Sequence, residues 1–176
     1  MRNILIVCIV CSVNINIFAQ DYCVNYLDSG SVTWNFFKGP VNKNDSINIG
    51  QLNTTIRFSI TKCDVWTGKA TFYAYAVVFV NDSWINPDFK NQEVLNHFQI
   101  KYNLSQLYAK KFEYYVNSWY INGGAYKKIN KILTKYIEEL AEEQKRFDLE
   151  SQYGNNLIND NKWSENIKNE LMELTK

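Results

Sequence analysis

Between residues 85 and 90 the apolar pattern changes its period, and this change limits the folds open to the chain more than any other feature. Before it the repeat is two. In TTIRFSITKC, Ile56, Phe58 and Ile60 alternate with Thr55, Arg57, Ser59 and Thr61, the pattern of a half-buried strand. In SVTWNFF, Val32, Trp34 and Phe36 fall on one face. In KATFYAYAVVFVN one face holds Ala70, Phe72, Ala74, Ala76, Val78 and Val80, and the other holds Thr71, Tyr73, Tyr75, Val77 and Phe79. Both faces are largely apolar, so this segment is expected to be the most buried strand. KGPVNKNDSINIG, between the first two strands, has loop composition.

After residue 90 the repeat is helical. Val94, Phe98, Tyr102, Ala109, Phe112 and Val116 line one stripe of a long helix. The NGG at 122–124 breaks the chain. A second helix is expected from about Ala125 to Phe147, burying Ile129, Ile132, Leu133, Tyr136, Ile137 and Leu140. After SQYGNN a third runs from about Asp160 to Leu174 on Trp163, Ile167 and Leu171. Strands followed by helices imply an α+β fold, an N-terminal antiparallel sheet with three helices packed on it. With no internal repeat, residues 21–176 read as one domain.

The N-terminus, MRNILIVCIVCSVNINIFAQ, has one arginine before an apolar run too short to span a bilayer. Ala19 offers a small residue for processing, so residues 1–20 read as an export signal cleaved near residue 19 or 20. The expected location is secreted or periplasmic, with no membrane span. Removing the signal takes away Arg2 alone and leaves 18 basic and 18 acidic residues. A neutral chain lacks the field that draws proteins to nucleic acid. Glu138, Glu139, Glu142 and Glu143 form one solvated helical face.

Cys23 and Cys63 remain after cleavage, and an oxidising compartment favours their pairing. A bridge across 40 positions stabilises by roughly 4 kcal/mol in the chain-entropy model. The competing reading, a thiol nucleophile, has no partner in the sequence beyond His97.

His97 is the sole histidine, and Lys101 follows one helical turn later. Lys101 falls within the apolar stripe and His97 at its edge. An inward lysine needs a carboxylate or a route to water. A hydrogen-bonded boundary histidine with a snorkelling lysine accounts for the helix on its own terms. The five tryptophans (Trp34, Trp66, Trp84, Trp119, Trp163) and EYYVNSWYING suit either core packing or a ledge for a glycan or peptide. The Asn-x-Ser/Thr sequons, Asn53 among them, fit chance in a chain rich in asparagine.

Five segments occur in a recognisable order: VTWNFFKG, DSWI, EVLNHFQIKYNLSQLYAKKF, EEQKRFDLESQYG and DNKWSENIKNEL. Together they resemble the bacterial family called domain of unknown function 922, described as predicted secreted zinc-dependent proteases, over nearly all of residues 21–176. In that family a His-Glu-x-x-His helix resembles the metal-binding helix of zinc peptidases, two histidines holding Zn²⁺ and the glutamate serving as base. The resemblance places His97 at the first ligand, Phe98 at the glutamate and Lys101 at the second histidine. Gln99 matches a family glutamine. Phe147, Asp148 and Glu150 match a Tyr-Asp-x-Glu segment, with Tyr153 at a histidine before Gly154. DSWINPDF would approach the old cleft.

Phenylalanine cannot take a proton from water, and an ammonium repels a divalent ion. One histidine and one carboxylate fall short of the three protein ligands usual in catalytic zinc sites. The resemblance thus implies a vestigial site, His97, Phe98, Lys101, Asp148, Glu150 and Tyr153, with no catalytic residue, metal or cofactor. Two arrangements are open. In one, Lys101 takes the vacated metal position and pairs with Asp148 or Glu150, with His97 beside them and Phe98 excluding water. In the other the cleft has closed and Lys101 reaches solvent. The functional expectation is a binding or envelope protein with a peptide, glycan or protein ligand. The alternative is a hydrolase with an atypical site built from His97, Asp148 and Glu150.

Overall fold

The computed structural model describes residues 23–41, 49–64, 66–67, 69–118 and 125–174, with the side chain of residue 126 set aside. The expected export signal, the NGG break and Trp119 lie outside the described residues. The architecture is α+β: an antiparallel sheet in the N-terminal half, then three helices packed on it. The main sheet has the order β1 (Cys23–Asn25), β4 (Ala70–Phe79), β3 (Thr54–Cys63). A two-stranded ribbon pairs β2 (Gly50–Gln51) with β5 (Trp84–Ile85). The helices are α1 (Gln92–Ser118), α2 (Tyr126–Glu150) and α3 (Leu157–Leu174).

The central strand β4 buries Ala70, Phe72, Ala74, Ala76 and Val78 on the helix side, and Val80, just past its end, is buried as well. On its other face Val77 is buried and Tyr73, Tyr75 and Phe79 half-buried. One core cluster packs β3 and β4 residues Ile56, Phe72 and Ala74 against Leu104, Phe112, Leu140, Phe147 and Trp163 of the helices. A second joins Val32, Phe36, Leu52, Val78 and Ile85 to Phe98 and Tyr102.

β1 pairs with residues 77–79 of β4, and among the described residues the rest of that edge has no strand neighbour. Helix α1 runs along the open edge and supplies side chains where a strand would supply backbone. Gln106 Oε1 accepts from the Ala76 N–H at 2.9 Å, Glu113 Oε2 from Ala74 at 2.7 Å and Asn117 Oδ1 from Phe72 at 2.8 Å. Asn117 also donates to the Phe72 carbonyl at 2.8 Å. Four helical residues rise about 6 Å, close to the two-residue repeat of a strand. The match lets Glu113 and Asn117 serve alternate N–H groups. Asn91 caps α1, its Oδ1 accepting from the Val94 N–H at 2.9 Å.

Three expectations are corrected. SVTWNFF is not a strand: Trp34–Phe36 is a 3-10 turn. Val32 and Phe36 are still buried, but the Val32 N–H goes to Gln99 Oε1 of α1 at 2.7 Å rather than to a neighbouring strand. Ile60 is 52 % exposed, on an edge strand whose burial falls away after Ile56. Cys23 and Cys63 are both free. Cys23 is opposite Phe79 and Cys63 opposite Ala70, at the two ends of β4. At ~3.3 Å per residue they lie roughly 30 Å apart, against a limit of about 7 Å between bridged Cα atoms. Among the described residues no helix is long and apolar enough to cross a membrane.

Gln106 is 5 % exposed and bonds a buried N–H. Gln106→Leu is expected to lower stability by about 1–3 kcal/mol through the unpaired Ala76 N–H. Urea unfolding of the variant beside Gln92→Leu, at an exposed position, measures the difference.

Candidate functional site

Docking α1 on the sheet turns its polar pair inward. His97 is 1 % exposed and Lys101 7 %. One carboxylate answers both: Lys101 Nζ donates to Asp148 Oδ2 at 2.7 Å, and His97 Nε2 lies 3.0 Å from Asp148 Oδ1. Burial is the largest single influence on Asp148 and works against ionisation. The hydrogen bonds and charges of His97 and Lys101 together outweigh it and hold the carboxyl below the usual carboxylate range.

The ring of His97 is fixed on every side. Phe147 stacks on it with centroids 4.5 Å apart and planes 15° from parallel, and Phe98 meets it edge-on at 5.6 Å. Nδ1 lies 3.3 Å from Ser151 Oγ and 3.7 Å from Asp160 Oδ1. Asp160, in the first turn of α3, is 4 % exposed, and neither of its oxygens has a hydrogen-bond partner among the described residues. The turn after α2 makes this packing possible. Gln152, Tyr153 and Gly154 have φ of 50°, 54° and 89°, three successive left-handed residues. A Cβ on Gly154 would stand 3.1 Å from the His97 Cβ, so both conformation and space require glycine there.

The structure therefore brings His97, Lys101, Asp148 and Tyr153 into one region and separates Glu150 and Phe98 from the cleft. Lys101, Asp148 and Tyr153 line a cleft of about 410 Å³ with Gly50, Gln51, Leu52, Asn53, Thr54, Ala141, Gln144 and Lys145. Glu150, two residues on and so about 200° around α2, lies on the α3 side, where its Oε2 accepts from Trp163 Nε1 at 2.8 Å. Phe98 packs on Phe37 in the second core cluster, centroids 4.9 Å apart. The Trp84–Ile85 part of DSWINPDF lies behind the cleft, pairing with β2.

Ser151, His97 and Asp148 form a Ser-His-Asp chain that no sequence motif suggests. Ser151 is fully buried, however, and no substrate atom can reach its hydroxyl. Nor does the donor set fit a zinc ion. His97 Nε2 and Lys101 Nζ each take one oxygen of Asp148, and an ammonium stands within the constellation. Among the described residues no three His, Cys, Asp or Glu side chains are grouped so as to hold a metal. Ser151, Asp160 and the stacking role of Phe147 escape a reading of the sequence. The one signal for them is SQYGNN, whose Gly154 marks a tight turn.

No family model matches the chain, and neither a curated protein nor a solved structure matches it significantly.

The depressed Asp148 carboxyl sets a pH dependence. Its contribution is complete above the unfolded value near ~3.9 and is lost as pH falls through the lower folded value. Asp148→Asn is expected to lose about 3–5 kcal/mol near neutrality, since Lys101 stays buried without its partner. In acid the gap to the parent protein should narrow. Denaturant unfolding from pH 7 to pH 2 tests this; a gap independent of pH would mean the ion pair is not its source.

Proposed function

We propose that this chain is an exported, non-catalytic relative of the domain of unknown function 922 family that acts by binding a ligand rather than by hydrolysis. The observation that carries the reading is the contact of Lys101 Nζ with Asp148 Oδ2 at 2.7 Å, with His97 on the other oxygen. An ammonium at the matched second-ligand position already neutralises the carboxylate. Phe98, at the matched position of the general base, offers no proton acceptor. The order of the five motifs supports the family relationship, and the polar cleft over Lys101 and Asp148 gives the ligand a place to lie. Equal numbers of basic and acidic residues after Arg2 is removed speak against nucleic acid as partner.

The hydrolase alternative needs His97, Asp148 and Glu150 to converge, and Glu150 is instead tied to Trp163 on the opposite side of α2. No observation favours it.

The deciding experiment is metal analysis of the protein expressed with its own N-terminal segment and purified without chelator, followed by calorimetric titration with Zn²⁺ and an assay on unfolded casein. The expected result is no stoichiometric metal, no tight zinc binding and no cleavage, with an intact mass that places the N-terminus near residue 20 or 21. One tightly held zinc per chain, lost in His97→Ala, would overturn the proposal and restore the enzyme reading.

A further inference from the structure

The chemistry of the cleft over Lys101 and Asp148 narrows the class of ligand, provided that the cleft is a binding site as proposed for the chain's function. Its volume of about 410 Å³ falls in the ~300–1,000 Å³ range of small-ligand sites. Its lining is unusual in where it keeps hydrogen-bonding capacity. The side-chain amides of Gln51 and Asn53 have no hydrogen-bond partner among the described residues, although both line the cleft. Gln144 is fixed by its nitrogen, which donates to Thr54 Oγ1 at 2.9 Å and to Ser105 Oγ at 3.0 Å. That leaves its oxygen as an oriented acceptor. Lys101 uses one N–H on Asp148 and has others for the cleft.

Tyr153 completes the lining. Its backbone is held at φ 54°, an uncommon conformation for a bulky residue. Its N–H caps α2 on the Asp148 carbonyl at 2.9 Å. Its ring is half-buried and stacks on no other aromatic ring among the described residues. Strain of this kind collects at ligand sites, where the surrounding structure holds a side chain in a fixed place.

We infer that the cleft binds an oligosaccharide, with the amides of Gln51, Asn53 and Gln144 meeting the hydroxyls and the Tyr153 ring covering a sugar face. Planar amides both donate and accept, as a ring of hydroxyl groups requires. An aromatic face covers the apolar C–H side of a pyranose. A peptide finds less here. The backbone bordering the cleft is already used: Gly50 and Gln51 pair with β5, the Asn53 N–H goes to Ser83 Oγ and its carbonyl to the Phe79 N–H. Strand addition needs a free edge. Beside the Tyr153 ring, the apolar side chains of the lining are Leu52, 2 % exposed, and Ala141, too few to form a pocket for a peptide side chain.

The test is NMR titration of the full protein with cellopentaose, penta-N-acetylchitopentaose and trigalacturonic acid, with penta-alanine as the peptide probe. Asn and Gln side-chain amides give their own signals, so the site reports directly. The expected result is saturable shifts of the Gln51, Asn53 and Gln144 amides with at least one sugar and none with penta-alanine. Gln51→Ala, at an exposed position, and Tyr153→Leu should each weaken that sugar at least tenfold. Gln51 is exposed, so Gln51→Ala keeps the test sound if Tyr153→Leu unfolds. Absence of shifts with all three sugars, shifts elsewhere on the protein, or a response to penta-alanine at these amides would overturn the assignment. None of those results bears on zinc, so failure here is separable from failure of the non-catalytic reading.

Discussion

A lysine buried to 7 % exposure is the constraint that organises the helical half of this protein. An ammonium withdrawn from water without a counter-charge costs several kcal/mol. Once α1 packs its stripe on the sheet, Lys101 goes in with it and a carboxylate has to follow. Asp148 is that carboxylate, and its position sets the rotation of α2. With that rotation Phe147 comes down on His97, and the chain must then reverse over the ring. The left-handed turn Gln152–Gly154 accomplishes the reversal, with Gly154 where a Cβ would strike His97. It delivers Asp160 of α3 to the far side of the same ring.

The sheet is held to this arrangement through α1. Gln106, Glu113 and Asn117 bond the free N–H groups of β4, so α1 cannot slide along the sheet without leaving buried donors unpaired. At the other end of the helix Gln99 fastens the Gly30–Val32 segment, donating to the Gly30 carbonyl and accepting from the Val32 N–H. The register of α1 fixes where His97 and Lys101 meet α2.

Periodicity makes much of this legible. The two-residue repeat of 54–63 and 70–79 and the helical repeats after residue 90 match the observed elements, Ile60 apart, because burial writes the pattern. Where a segment is held by something else, the pattern misleads. Val32, Trp34 and Phe36 alternate as in a strand, yet the Phe36 and Phe37 N–H groups close a local turn and the Val32 N–H goes to Gln99, which lies 67 positions away and has no local signature. The free cysteines fail for a similar reason: composition favours pairing, but strand register puts them at opposite ends of β4. In the site, the motif order brings Asp148 and Glu150 forward together. Both follow Phe147 on α2, on either side of Leu149, and a wheel does not say which faces α1. Asp160 reads in sequence as an ordinary acid in the first turn of a helix, favourable there through the helix dipole. Its burial against His97 comes from the turn, a tertiary matter.

The ion pair has a consequence for the cleft beyond its modest effect on stability. Buried pairs often contribute little compared with apolar residues of the same volume. An apolar residue in place of Lys101 would leave His97 as the one remaining partner holding the Asp148 carboxyl low, and would make the cleft floor a surface that water leaves. With Lys101 present the floor stays polar and its N–H groups are held in position. The Gln144 nitrogen is likewise tied to Thr54 and Ser105 rather than left to rotate. Fixed donors and acceptors at the base of a cleft lower the ordering cost of binding. A side-chain ammonium on the floor and oriented amides around it give this cleft the fixed polar groups that the proposed binding role requires.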